Sequence, residues 1–155
     1  MSDRKFQRLL DRVGQQILNI IQENARIPYS ELGRQVALSA PAVIERVRKM
    51  EEAGIISGYH ARIDANKVGW PIMAFVSLST RPELYARFIA LAEQDAGILE
   101  CHHVSGNESF VMKVIAPSVQ DLETMIERLS PFGQTKTLIV LSSPVAKPGL
   151  SFEDV

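Results

Sequence analysis

The chain has 155 residues, 46% hydrophobic and 23% charged, with a formal net charge of −1, a balance that suits a folded globular protein and excludes global disorder. No run of about 18 apolar residues occurs, which excludes a helical membrane span. The charged start, Met1-Ser2-Asp3-Arg4-Lys5, has no apolar core of the signal-peptide kind, and the single cysteine, Cys101, cannot close an intrachain disulfide, so a cytoplasmic protein without membrane contact is expected.

Charge is unevenly shared. Residues 1–62 sum to +3 and the remainder to −4, the asymmetry of a basic module joined to an acidic one. In the basic part, Leu9, Leu10, Val13, Ile17, Ile20 and Ile21 recur every three or four residues and predict one helix ending near Asn24. A short helix follows Pro28, with Ser30 as its expected N-cap, Glu31 in its first turn, and Leu32 and Val36 on its buried side. After the break Ala37-Leu38-Ser39, a third helix is expected. Ser39 is its N-cap, Pro41 sits in the first turn, Val43, Val47 and Met50 face inward, and Ala53-Gly54 forms the stop. Three short helices with a tight turn before the third make a helix-turn-helix. The segment Ile55–Ile63 is strand-like and predicts a wing or a connector.

The second half changes character. Strands are expected at Trp70–Thr80, Ile98–Val104, Phe110–Ile115 and Gln134–Leu141, and helices at Pro82–Asp95 and after Ser118. The order β-α-β-β-α-β predicts a ferredoxin-like domain, an antiparallel sheet with two helices on one face and an open face suited to self-association. The fold class is therefore α+β: a winged helix-turn-helix over residues 1–63, a linker at 64–69, a ferredoxin-like regulatory and oligomerisation domain at 70–143, and a tail at 144–155.

Several chemistries can be weighed. Cys101 and His103 share one face of a strand while His102 points away, which is too few ligands for a metal. Met73, Phe75, Phe110 and Met112 suit a core or an interface between copies. No nucleophile with a base, phosphate-binding glycine loop or paired catalytic carboxylates is present, so neither an enzyme nor a cofactor is expected.

The chain resembles the Lrp/AsnC family of leucine-responsive, or feast/famine, regulators over nearly its whole length. The N-terminal resemblance rests on Leu10-Asp11, Ile17-Leu18, Glu23-Asn24-Ala25-Arg26, Glu31-Leu32, Leu38-Ser39, Glu45-Arg46-Val47-Arg48, Glu51 and Gly54-Ile55-Ile56-Ser57-Gly58-Tyr59. The second half resembles the family's regulatory domain through His103-Val104-Ser105-Gly106-Asn107, Phe110–Val114 and Gln134–Leu141. Two positions depart from the pattern. Gly14 stands where an acidic residue is usual, and Ser109 stands where many members carry an aspartate able to meet the amino group of a bound amino acid. With serine there, the charge that would pair with an ammonium is absent.

The resemblance implies a cytoplasmic, nucleoid-associated transcriptional regulator of double-stranded DNA that forms dimers and, from four dimers, octamers. An amino-acid effector would act at contacts between dimers. In a helix-turn-helix the start of the third helix meets base edges. That nominates Ser39, Ala40, Pro41, Ala42 and Ile44 as the contact edge, with Glu45 and Arg48 further along, and Arg34, Arg46, Arg48 and Lys49 for phosphates. Glu45–Lys49 and Arg48–Glu52 are also i,i+4 pairs, so a plain solvated helix face is the competing reading. Small apolar residues at the contact edge predict modest base readout and degenerate sites chosen partly by DNA shape. Ser105, Gly106, Asn107, Glu108 and Ser109, with Thr135 and Thr137, are the candidate effector site, Gly106 offering backbone N–H groups to a carboxylate; a simple hairpin turn competes. The alternative function is an architectural DNA-bending protein that ignores effectors.

Overall fold

The structure, a computed structural model, describes residues 8–147 and 149–152. The first seven residues of the expected N-terminal domain, and Pro148 and the last three residues of the expected tail, lie outside the described residues. The chain forms two compact units, one built from residues up to Ala61 together with the segment from Val145, the other from Arg62 to Pro144.

The first unit holds α1 (Arg12–Glu23), α2 (Tyr29–Gln35) and α3 (Ala40–Glu52). Helix α1 buries Ile17 and Ile21 of the expected stripe together with Leu18, which lies outside it, while Val13 and Ile20 are half-buried. The helix starts later than the stripe, however, because Asp11 is extended (φ −62°, ψ 170°) and its carboxylate accepts the Gly14 N–H at 2.8 Å. Leu9 and Leu10 therefore precede the cap, with Leu9 still buried in the unit's core. This turn explains Gly14: a Cβ there would overlap the Leu9 carbonyl oxygen and lie 3.0 Å from the Met50 Cε.

The cap of α2 differs from expectation. Pro28, not Ser30, precedes the helix, and its carbonyl accepts the N–H groups of Glu31 and Leu32 at 3.0 and 2.9 Å. Proline's fixed φ and missing N–H suit a helix entrance, so Ser30 falls inside the first turn. Ser39 caps α3 as expected, accepting the Ala42 N–H at 3.4 Å, and Val43, Val47 and Met50 are buried. Between α2 and α3, Ala37 adopts the left-handed conformation (φ 56°) and the Leu38 N–H reaches the Gly33 carbonyl at 2.9 Å. A Cβ at Gly33 would sit 2.6 Å from the Leu38 carbonyl oxygen.

Gly54 (φ 70°) ends α3, and the Ile55 N–H returns to the Met50 carbonyl at 2.9 Å. No strand forms among residues 53–71, so of the two readings of Ile55–Ile63 the connector holds and the paired wing does not. The segment has no second alternating run to pair with. It is fastened instead by the Tyr59 hydroxyl, which donates to Glu51 Oε1 at 2.8 Å.

One interaction ties α3 to the start of α1. Arg46 donates twice to Asp11, at 2.7 and 2.8 Å, forming a bidentate pair.

The second unit is a four-stranded sheet: β1 (Ile72–Thr80), β2 (Ile98–His103), β3 (Phe110–Ala116) and β4 (Gly133–Ile139), in the order β2-β3-β1-β4 and antiparallel throughout. Helices α4 (Tyr85–Gln94) and α5 (Val119–Leu129) complete the expected βαββαβ order. The alternation of β3 decides which face is covered. Phe110, Met112 and Val114 are buried with Val76 and Leu78 of β1 and with Phe88, Leu122, Met125 and Leu129 of the helices. Ser118 caps α5 through the Asp121 N–H, as expected. Arg128 reaches within 2.8 Å of Asp95 Oδ2, an ion contact linking the ends of the two helices, while Asp95 Oδ1 accepts the Gly97 N–H at 3.0 Å.

The opposite face carries Met73, Phe75 and Leu138 beside Lys113, Lys136 and Glu100, and Phe75 and Leu138 are 43% and 57% exposed. The four aromatic and methionine side chains singled out in the sequence thus divide: Phe110 and Met112 enter the core, while Met73 and Phe75 lie on the uncovered face.

Two outcomes follow for the first unit. Gly33→Ala should lower the stability of α2 and α3 by about 2 kcal/mol through overpacking against Leu38, whereas Ala37→Gly should raise it by about 1 kcal/mol by relieving the left-handed conformation. Hydrogen exchange at the α1–α3 amides measures both. Arg46 bonding, opposed by some burial and helped by the Gly14 N–H, holds the Asp11 carboxyl below its ordinary value of 3.8. The pair's contribution is therefore complete above that ordinary value and fades as pH falls through the lowered one. Arg46→Ala should remove about 1 kcal/mol near neutral pH and flatten the acid limb of the unit's stability profile.

Candidate nucleic-acid interface and effector loop

Burial of Val43, Val47 and Met50 fixes the rotation of α3 and leaves one continuous outer edge: Pro41, Ile44, Glu45, Arg48, Lys49 and Glu52. The start of this edge is apolar, with Ile44 46% exposed beside Pro41 and the half-buried Ala40 and Ala42. The Ser39 oxygen accepts the cap bond, and its hydroxyl proton stays available to donate.

Every cation nominated for phosphate contact faces a carboxylate. Arg48 pairs with Glu45 at 2.8 Å and also with Glu52, Lys49 lies 3.2 Å from Glu45, and Arg34 pairs with Glu31 at 2.5 Å. These pairs are within α2 or α3 and largely exposed. Bonding to Arg48, then to Lys49, pulls the Glu45 carboxyl down to about 2, so it is ionised at any working pH. Arg46 differs, because its partner Asp11 is remote in sequence and the contact is bidentate. It positions α3 against α1 rather than standing free for a phosphate. The sequence signal for this tie was Asp11 itself, an N-cap residue type inside the α1 stripe that the periodicity alone passed over.

The β2–β3 loop is stitched to the end of β1. The Val104 N–H reaches the Ser109 carbonyl at 3.0 Å, the Ser109 N–H reaches the Leu78 carbonyl at 2.8 Å, and the Ser79 hydroxyl donates to the Asn107 carbonyl at 3.1 Å. Ser109 Oγ accepts the Thr80 N–H at 3.1 Å and donates to the Thr80 carbonyl at 2.9 Å. Its hydroxyl is therefore committed to closing the sheet. Ser105, Gly106 and Asn107 are exposed, Glu108 is half-buried, and Gly106 has φ 120°.

Thr135 and Thr137 are placed elsewhere in the sheet. They pair with Leu78 and Val76 of β1, whose other edge meets Phe110 and Met112 of β3. Two strand spacings, about 10 Å, separate them from the strand that begins at the loop. Within one chain the structure does not bring these threonines and the loop together.

The Cys101–His103 stretch follows its strand alternation. His103 packs edge-on against Tyr85, ring centres 5.2 Å apart, and lies 5.1 Å from Phe110, whereas His102 turns to Glu100 at 3.3 Å. Burial pushes the Cys101 thiol above its ordinary value, away from reactive thiolate. Among the described residues, no three His, Cys, Asp or Glu side chains gather as metal ligands, and no helix is long and apolar enough to cross a membrane.

Comparison with known proteins agrees with this geometry. Residues 10–51 match the AsnC-type helix-turn-helix domain and residues 73–150 the Lrp/AsnC ligand binding domain. The chain is 37% identical to the uncharacterized HTH-type transcriptional regulator YezC of Bacillus subtilis, over 90% of this chain and 99% of that one. It is 32% identical to the leucine-responsive regulatory protein of Salmonella typhimurium, over 85% of each chain. Among solved structures, LrpC of B. subtilis superposes with a TM-score of 0.85 at 32% identity, covering 89% of this chain and 99% of that one. These relatives are transcriptional regulators rather than enzymes. With a helix-turn-helix that presents α3 and, later in the chain, a ferredoxin-like sheet, the chain belongs to the Lrp/AsnC family of transcriptional regulators.

Proposed function

We propose that this regulator binds double-stranded DNA at degenerate sites through α3, and that a small effector such as an amino acid modulates binding at contacts between dimers. The observation that carries the reading is the outer edge of α3, small and apolar where base edges would lie and charged further along. Pro41 and Ile44, with Ala40 and Ala42 beside them, suit thymine methyl groups; Ser39 and Glu45 supply the polar contacts available for direct readout. Arg34, Arg48 and Lys49 take phosphates, while Arg46 remains on Asp11. Residues 1–63 serve as the DNA-binding domain, 64–69 as linker, 70–143 as the assembly and effector domain, and 144–155 as the tail.

Self-association is supported by the uncovered sheet face with Phe75 and Leu138. Dimers, and octamers built from them, acting in the cytoplasm on the nucleoid, belong to the same reading. The match to a ligand binding domain and the likeness to a leucine-responsive protein support an amino-acid effector. We assign it Ser105, Gly106, Asn107, Glu108, Ser109, Thr135 and Thr137. Within one chain β1 lies between the strand that begins at the loop and the strand of the threonines, so the loop and the threonines are assigned to contacts between chains.

A second reading, an architectural DNA-bending protein without an effector, is favoured by Ser109, whose hydroxyl is already committed to Thr80 and brings no charge to an ammonium.

DNA affinity should fall steeply with salt. Arg48→Ala should weaken binding about equally on all sequences and lower the salt slope by about 1. Glu45→Gln should strengthen binding about threefold at low salt by freeing Arg48 and Lys49 from a competing charge. Loss of sequence preference in Glu45→Gln, without that gain, would instead mark Glu45 as a cytosine reader.

Thermal unfolding against the twenty amino acids at millimolar concentration separates the two functions. A rise in midpoint with one of them identifies the effector by mass action. No rise with any supports the architectural reading.

A further inference from the structure

The last strand ends at Ile139, yet from Val145 the chain belongs again to the helix-turn-helix unit. There, Gln22 on α1 grips the main chain of Leu150 from both sides. Its Oε1 accepts the Leu150 N–H at 2.8 Å, and its Nε2 donates to the Leu150 carbonyl at 3.0 Å. Nε2 also donates to the Leu18 carbonyl at 3.2 Å, which orients the amide for this task. The grip reads backbone, since the Leu150 side chain is left exposed. Two residues on, Phe152 packs against the unit's hydrophobic core. The groove between α1 and this segment measures about 290 Å³ and is lined by Asn19, Gln22, Glu23, Lys147 and Gly149. A Cβ at Gly149 would overlap the Gln22 carboxamide and displace it.

We propose that residues 145–147 and 149–152 belong to a releasable strap, a docking segment whose seat on α1 ties the helix-turn-helix unit to the end of β4. The unit already joins the sheet at Ala61–Arg62; the strap adds a second covalent route through Pro144–Val145. A body held by one connector reorients about it, whereas two anchored connectors restrict that motion. The described residues of the segment are exposed apart from the partly buried Phe152, so local opening lies within reach without unfolding the core. The strap is fed by β4, which carries Leu138 on the uncovered sheet face, so a partner on that face bears on the strand that leads into it. Seating of the strap does not depend on the DNA or effector assignments above.

The test is hydrogen exchange, residue by residue, on the full chain, in the unaltered protein and in Gly149→Ala, Gln22→Glu and Phe152→Ala. In the unaltered protein the Leu150 amide should exchange at least about tenfold more slowly than in a free chain, as a seated segment requires. Gly149→Ala displaces Gln22 without altering α1, and should return Leu150 to the free-chain rate while α1 and β1–β3 keep their protection. Gln22→Glu places a carboxylate against the Leu150 carbonyl and should do the same, as should loss of the Phe152 anchor. NMR relaxation should then show the two units tumbling with more divergent correlation times than in the unaltered protein. A Leu150 amide that exchanges at the free-chain rate in the unaltered protein, or no faster in Gly149→Ala, overturns the strap. Unchanged relative tumbling despite release overturns its tethering role.

Discussion

What α3 can offer to a partner depends on the backbone approach between Gly33 and Leu38. The turn must bring α3 across α2 closely enough for Val43, Val47 and Met50 to share a core with Leu32, and the chain achieves this with one glycine and one left-handed alanine. Left-handed geometry at a residue with a Cβ costs about 1–2 kcal/mol. That cost persists because burial of three large side chains on one helix outweighs it, at roughly 1.5–3 kcal/mol each. The Arg46–Asp11 pair then fixes α3 against α1 from the other side. Orientation of the outer edge is thus a property of the core and of one bidentate contact, independent of whatever the edge binds.

Charge pairing on that edge bears directly on mechanism. Exposed pairs such as Arg48–Glu45 and Arg34–Glu31 are weak, because water screens both partners, and a phosphate presents comparable or better geometry to the same guanidinium. Exchange of partners is therefore accessible at the helix surface, and the edge can be both a salt-bridged solvent face and a phosphate-binding one. The two readings of these cations that the i,i+4 spacing leaves open therefore do not exclude one another. Arg46 stands apart, because removing it from Asp11 would loosen the helix that carries all the others.

The fold was largely legible in the sequence because its elements are strongly patterned. The α1 stripe from Val13 onward, the Ser39 and Ser118 caps and the alternation of β3 are each legible in the local sequence, and each is found where that pattern puts it. What spacing could not show was contact between remote residues. The cap at Asp11 hides inside an apolar stripe, and the bidentate partner that makes it matter lies 35 positions away. Pro28 displaced Ser30 as the α2 cap because the fixed φ of proline outranks a hydroxyl that is free to sit elsewhere. The same limit applies to Thr135 and Thr137: pairing order, invisible to local pattern, inserts β1 between them and the loop.

Gly14 and Ser109, the two departures from the family pattern, have different physical origins. Gly14 is demanded by geometry, since the Leu9 carbonyl occupies the space that any side chain would need. Ser109 is a choice of chemistry. A hydroxyl can accept from the Thr80 N–H and donate to the Thr80 carbonyl at once, whereas an ionised aspartate in the same place could only accept and would face that carbonyl oxygen with its own charge. Serine therefore closes the loop onto β1 more completely than aspartate would, and it surrenders the fixed negative charge in doing so. The Ser109 side chain therefore offers no fixed negative charge to the ammonium of any amino-acid effector.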